Sequence, residues 1–176
     1  MKNWIVALAL SIGVTATAFH AHAQPILEGA QELGISGFID FDTPNKTEFR
    51  LSGQYGIFVM DYLQVGPRVS VFDNDVYTAW KIGGFAEYNF DTGTPWVPFV
   101  GAGLNIAGID VATGAGGEDN TGLSLTLSGG GKYFLTEQVA LSSALNFELA
   151  TAKLYPARRR VKDTDWNVEV GLRFFF

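Results

Sequence analysis

Trp166-Asn167-Val168-Glu169-Val170-Gly171-Leu172-Arg173-Phe174-Phe175-Phe176 closes the sequence, and its two-residue period decides the fold. In an extended chain successive side chains point to opposite faces. Trp166, Val168, Val170, Leu172, Phe174 and Phe176 therefore share one face, while Asn167, Glu169, Gly171, Arg173 and Phe175 share the other. One face is greasy with aromatics at its end; the other carries opposite charges. A soluble sheet would turn the greasy face to a core and the polar face to water, whereas a membrane strand would turn the greasy face to lipid. The rest of the chain chooses between them.

Seven further segments repeat the pattern, with turn residues between them. Glu32 to Phe41 sets Leu33, Ile35, Ile39 and Phe41 against Glu32, Ser36 and Asp40. Thr47 to Val59 sets Phe49, Leu51, Tyr55 and Ile57 against Glu48, Arg50, Ser52 and Gln54. Leu63 to Phe72 opposes Val65, Val69 and Val71 to Gln64, Arg68 and Ser70. Val76 to Phe90 opposes Trp80, Ile82, Tyr88 and Phe90 to Lys81, Glu87 and Asn89. From Trp96 to Ile109, Val100, Ala102, Leu104 and Ile106 face away from Phe99, Gly101, Gly103 and Asn105. Pro98, near that start, is tolerated better than a proline at a strand centre. Thr121 to Phe134 opposes Leu123, Leu125, Leu127 and Tyr133 to Ser124, Thr126, Ser128 and Lys132. Gln138 to Thr151 opposes Val139, Leu141, Leu145, Phe147 and Leu149 to Ser142, Asn146 and Glu148.

The connections alternate. Residues 42–46, 73–75, 110–120 and 152–163 follow the odd strands, and two of these are long; 60–62, 91–95 and 135–137 follow the even strands, and all are short. An up-and-down membrane barrel has brief periplasmic turns and longer outer loops. A tilted strand needs about 9–11 residues to cross a bilayer, which eight strands of this spacing supply. The reading is all-β: an eight-stranded antiparallel up-and-down transmembrane β-barrel.

The start of the chain points to export. Lys2 precedes an apolar stretch from Trp4 to Val14, and Ala21-His22-Ala23 has the small-x-small form of a cleavage site. The stretch falls short of the roughly 20 residues a membrane helix requires. Residues 1–23 are read as a signal peptide and 24–176 as one barrel domain, with Gln24 as the mature N-terminus. Lys2 is the only charged residue removed, leaving 11 Lys/Arg against 18 Asp/Glu, a formal charge of −7. Nucleic acid binding, which requires a basic face, is excluded as the expected role. There is no cysteine for a disulfide or thiolate site, and both histidines, His20 and His22, fall in the leader.

The inward face explains how a narrow barrel is filled. Glu32, Asp40, Glu48, Arg50, Arg68, Lys81, Glu87, Lys132, Glu148, Glu169 and Arg173 all lie on the polar side: six acids and five bases. Eight strands enclose just enough room for side chains, and charges held there must pair. The glycines on this face, including Gly34, Gly56, Gly101 and Gly130, make room for the long side chains. These residues are expected to form an ion-pair network that plugs the interior.

Gln54-Tyr55-Gly56-Ile57-Phe58-Val59 before a tight turn, Pro98-Phe99-Val100-Gly101-Ala102-Gly103, and the terminal Gly171-Leu172-Arg173-Phe174-Phe175-Phe176 resemble the small bacterial outer-membrane β-barrels, of the OmpA/OmpX-like transmembrane barrel or porin-family β-barrel domain. The resemblance covers Glu32 to Phe176. It implies location in the bacterial outer membrane among lipid and lipopolysaccharide. It also implies that the barrel-assembly machinery reads Phe176 with the outward Phe174 and Leu172.

Barrel enzymes that this resemblance brings to mind, lipid A deacylases and palmitoyltransferases, rely on a histidine that the mature chain lacks. Ser124 with Lys132, or Glu148 with Glu169, are read as interior hydrogen-bonding pairs. No catalytic, metal or cofactor site is expected. Arg158, Arg159, Arg160 and Lys162 cluster in an outer connection, where they suit lipopolysaccharide phosphates through charge-assisted bonds. Asp110, Glu118 and Asp119 lack the ligand spacing of a calcium loop, and the glycines around them lack the helix and Lys-Ser/Thr pair of a phosphate loop. The expected role is that of a monomeric membrane barrel with a structural or surface-interaction task. A low-conductance porin for small solutes is one alternative, and a soluble exported barrel binding an apolar ligand is another.

Overall fold

The computed structural model describes residues 26–40, 48–73, 77–111, 120–152, 155–157 and 160–176. The first 23 residues, and with them the expected signal peptide, lie outside the described residues. Among the described residues ten strands run in chain order: β1 Gln31–Asp40, β2 Glu48–Met60, β3 Leu63–Asp73, β4 Tyr77–Asn89, β5 Trp96–Val111, β6 Asn120–Phe134, β7 Val139–Ala150, β8 Tyr155–Ala157, β9 Arg160–Lys162 and β10 Thr164–Phe175. Eight of them, β1 to β7 and β10, close a barrel in which each strand pairs antiparallel with its neighbours. Closure removes every sheet edge, which is the condition for a sheet to stand in hydrocarbon.

Residues 152–163, expected as plain loop, contain the small hairpin β8–β9, with Tyr155 opposite Lys162. Pro156 and the run of basic residues hid a strand too short to show a period. The barrel strands start and stop within one or two residues of the expected positions; the two-residue changes are β5, which runs on to Val111 instead of Ile109, and β10, which begins at Thr164 instead of Trp166.

The seam is the shortest ladder. β1 and β10 pair over six positions, from Glu32 opposite Phe175 to Gly37 opposite Val170, whereas β5 and β6 pair over fourteen. β2 and β3 carry a bulge between Phe58 and Met60, so the chain turns through Asp61 and Tyr62. Tyr62 has φ 68°, a left-handed conformation that costs a non-glycine residue about 1–3 kcal/mol. Contacts described below hold it there. Its hydroxyl donates to Asp91 Oδ2 at 3.1 Å, and that carboxylate raises the phenol above its ordinary pKa.

The outward faces form a belt of exposed aliphatic side chains, among them Ile35, Leu51, Val69, Ile82, Leu104, Ile106, Leu127, Leu145 and Val168. Aromatics flank it. At the end where β1 begins and β10 ends stand Tyr55, Tyr88, Phe90, Trp96, Tyr133 and Phe176; at the far end stand Trp80, Phe147 and Trp166, the last two in ring contact at 4.5 Å. Two of the tryptophans lie flat over glycine: a Cβ on Gly108 would meet the Trp80 ring, and one on Gly131 the Trp96 ring. Trp166 remains 63% exposed, a large loss in water and none at a lipid headgroup interface.

Candidate functional site: the filled interior

The lumen is stacked in layers because inward residues of tilted, staggered strands meet at common heights. The lowest layer, at the end where β1 begins and β10 ends, is apolar. Phe58, Val97, Phe134, Ala140 and Phe175 come from β2, β5, β6, β7 and β10, and Ile26, which belongs to no strand, packs among them. Phe134 and Phe175 stack with centroids 4.9 Å apart.

Above it sits a buried charge layer. Lys132 Nζ lies 2.5 Å from Glu32 Oε2 and 2.6 Å from Glu87 Oε1, and Arg173 Nη1 lies 3.1 Å from Glu32 Oε1. Glu32 and Lys132 are 0% exposed and Glu87 1%. Glu32 is the hub: besides both cations it accepts from Gln54 Nε2 at 3.2 Å and Gln64 Nε2 at 3.0 Å. Gln64 Nε2 also donates to Glu87 Oε1 at 2.6 Å, and Arg173 Nε donates to Ser142 Oγ at 3.1 Å. Two carboxylates and two cations balance the layer, which is what burial at this depth demands. Lys132 Nζ further lies 5.4 Å from the Phe99 centroid and 5.5 Å from that of Phe175, a cation–π arrangement joining the charged layer to the apolar one.

Arg68 makes the next step. Its Nε and Nη2 donate to Gln54 Oε1 at 3.1 and 2.6 Å, and the guanidinium stacks 5.0 Å from the Phe85 centroid. Toward the far mouth a second network follows. Lys81 Nζ meets Glu148 Oε1 at 2.5 Å, which also accepts from Asn167 Nδ2 at 3.3 Å. Glu169 accepts from Ser36 Oγ, and from Asn146 Nδ2 at 3.1 Å. Arg50 stands 4.0 Å from Asp165 and 5.3 Å from the Phe72 centroid. These side chains leave a cavity of about 20 Å³, room for about one water.

Of the eleven expected network residues, Glu32, Glu87, Lys132 and Arg173 meet in the lower layer and Lys81, Glu148, Glu169 and Arg50 in the upper one, with Arg68 between. The side chains of Asp40 and Glu48 lie outside the described residues. Ser124 and Lys132 lie in different layers: Lys132 is engaged below, while Ser124 Oγ accepts from Asn105 Nδ2 at 3.5 Å in the upper one. Asp165 was missed because the strand was read from Trp166 onward. The apolar layer was missed although Phe58, Val97, Phe134 and Phe175 are all at inward parity, a signal available in the sequence. Arg158, Arg159 and the 112–119 stretch lie outside the described residues; Arg160 and Lys162 are described in backbone only, on β9.

A closed antiparallel barrel with a charged, packed interior and an apolar, aromatic-rimmed exterior defines a transmembrane β-barrel protein. Residues 6–174 match the model of the outer membrane protein beta-barrel domain, so the chain belongs to that family and resides in the bacterial outer membrane. Comparison with curated proteins gives no significant match. Among solved structures it is similar to the N-terminal β-barrel domain of Pseudomonas aeruginosa OprF (20% identity, TM-score 0.64, 85% of this chain and 98% of that one). It is also similar to Neisserial surface protein A (21%, 0.56, 84% and 94%) and to OprG of P. aeruginosa (15%, 0.52, 88% and 99%). At these identities the likeness is one of fold. The soluble ligand-carrying alternative is set aside: its apolar residues would line the cavity, whereas here they form the outer belt.

Proposed function

We propose that this outer-membrane barrel acts as a closed, non-catalytic monomeric scaffold serving envelope integrity and surface contact. The observation that carries the reading is the pair of successive seals in the lumen, the apolar layer of Phe58, Val97, Phe134, Ala140 and Phe175 and the charge layer of Glu32, Glu87, Lys132 and Arg173. A solute would have to break both. Reconstituted into planar bilayers, the protein is expected to give no steps of steady conductance in symmetric salt. Regular ohmic steps would establish the porin alternative instead.

We further infer that surface contact runs through Arg158, Arg159, Arg160 and Lys162, in the outer connection that carries β8 and β9. Guanidinium groups bind phosphate in bidentate fashion. Replacing the three arginines by alanine is expected to weaken binding to purified lipopolysaccharide at least tenfold and to flatten its salt dependence. Unchanged affinity would remove these residues from the contact. Leu172 and Phe174 lie on the outward face of β10 and Phe176 follows directly at the same parity, the arrangement in which the barrel-assembly machinery would read them.

A further inference from the structure

We propose that residues 26–30 form a strap that stoppers the periplasmic mouth of the lumen, and that displacing it admits water to the apolar layer and the charge layer above. The proposal rests on the closed-interior reading and names the part that seals its lower end. Ile26 precedes the first strand, yet it is only 4% exposed and belongs to the apolar cluster built by inward residues of five strands. Among the described residues, the backbone bonds that residues 26–30 make to the barrel all run to the end of β2 and the turn after it, and only at Gln31 does the chain bond to Phe176 on the other side. Gly29 N donates to Phe58 O at 2.8 Å, Phe58 N to Ala30 O at 2.9 Å and Tyr62 N to Ile26 O at 2.9 Å. Glu28 N donates to Asp61 Oδ1 at 3.1 Å in the same turn.

From that one-sided anchor Ile26 reaches the layer to which β5, β6, β7 and β10 contribute. Leu27 and Glu28 beside it face solvent. The docking point is also where the backbone is strained: Tyr62 is the only non-glycine residue at positive φ among the described residues. Its left-handed conformation accompanies the N–H bond to Ile26, and Tyr62 is itself partly buried against the layer. A short segment anchored along one edge, with one buried side chain and a strained receiving turn, has the makings of a locally opening element.

The chain contains no cysteine, so one introduced thiol reports directly. Val97, 2% exposed in the apolar layer, is changed to cysteine in the full chain folded in detergent micelles, and a small cationic methanethiosulfonate is added. With the native strap, labelling is expected to be slow. With Ile26→Asp or Ile26→Ser it is expected to rise at least tenfold, while Ile26→Leu remains as slow as the parent; heat-dependent gel mobility verifies folding of each variant. Equal rates in the Leu, Ser and Asp variants, or rapid labelling beneath the native strap, would overturn the proposal. Conductance of the unaltered protein tests the closed interior separately, so the two readings fail by different measurements.

Discussion

Lys132→Met is expected to destabilise the barrel by about 3–5 kcal/mol, the cost of leaving a buried carboxylate without its cation. The effect falls mainly on Glu87. Glu32 keeps Arg173, Gln54 and Gln64 when the lysine is gone, but among the described residues Glu87 keeps only the hydrogen bond from Gln64, and its Oε2 has no hydrogen-bond partner among them. Methionine preserves most of the volume, so the change reads charge more than packing. The matched second change is therefore Glu87→Gln, which turns the stranded carboxylate into a neutral amide. Lys132→Met with Glu87→Gln is expected to recover at least half of the loss. Lys132→Met with Glu32→Gln should recover less, because Arg173 then loses its anion in turn. Urea unfolding midpoints of the refolded protein in lipid vesicles, followed by the heat-dependent mobility shift, measure the cycle. Equal recovery by both double variants would mean that the layer behaves as a diffuse charge pool and not as a network centred on Glu32.

The alternation of the strands was legible because lipid and a charged lumen impose opposite demands on successive side chains, so a two-residue period survives even where loops are uninformative. Leu123-Ser124-Leu125-Thr126-Leu127 shows this, and every one of these residues occupies its expected face. Height along the barrel was not legible. Parity places Glu32, Glu87, Lys132 and Arg173 inside, but strand tilt and stagger decide that Glu32 meets Lys132, a hundred residues away, and not Lys81. The same ignorance of height hid the apolar layer: Phe58 and Phe175 stand at inward parity in strands whose inward face is otherwise mostly polar, and only the register gathers them at one end. Ile26 lies outside any period, so no pattern announced it. Asp165 escaped for a smaller reason, standing one residue before the apolar repeat from which its strand was recognised.

Glycines supply the second large effect, and its sign depends on what an added Cβ would meet. A Cβ on Gly66 would strike the carbonyl oxygen of Tyr55 and approach Gly56 Cα at 3.0 Å; one on Gly130 would strike the carbonyl of Ser143 and stand 2.8 Å from Ala144 Cα. These obstacles are backbone atoms of paired strands and cannot turn away. They arise because eight strands bend sharply to close, and crowding falls on the concave side. Gly53 and Gly129 face outward, with nothing within 4 Å of an added Cβ. Gly66→Ala and Gly130→Ala are thus expected to cost about 1–3 kcal/mol each, with valine at either site preventing closure. Gly53→Ala and Gly129→Ala are expected to be neutral or to stabilise by about 0.4–1 kcal/mol, through a less flexible unfolded chain. The refolded fraction and the unfolding midpoint measure both sets in one experiment. Matching losses inside and outside would mean that strand flexibility, and not the curl of the wall, is what these glycines provide. A loss confined to Gly66 and Gly130 would show that close approach of neighbouring strands on the concave face sets how tightly this barrel closes around its charges.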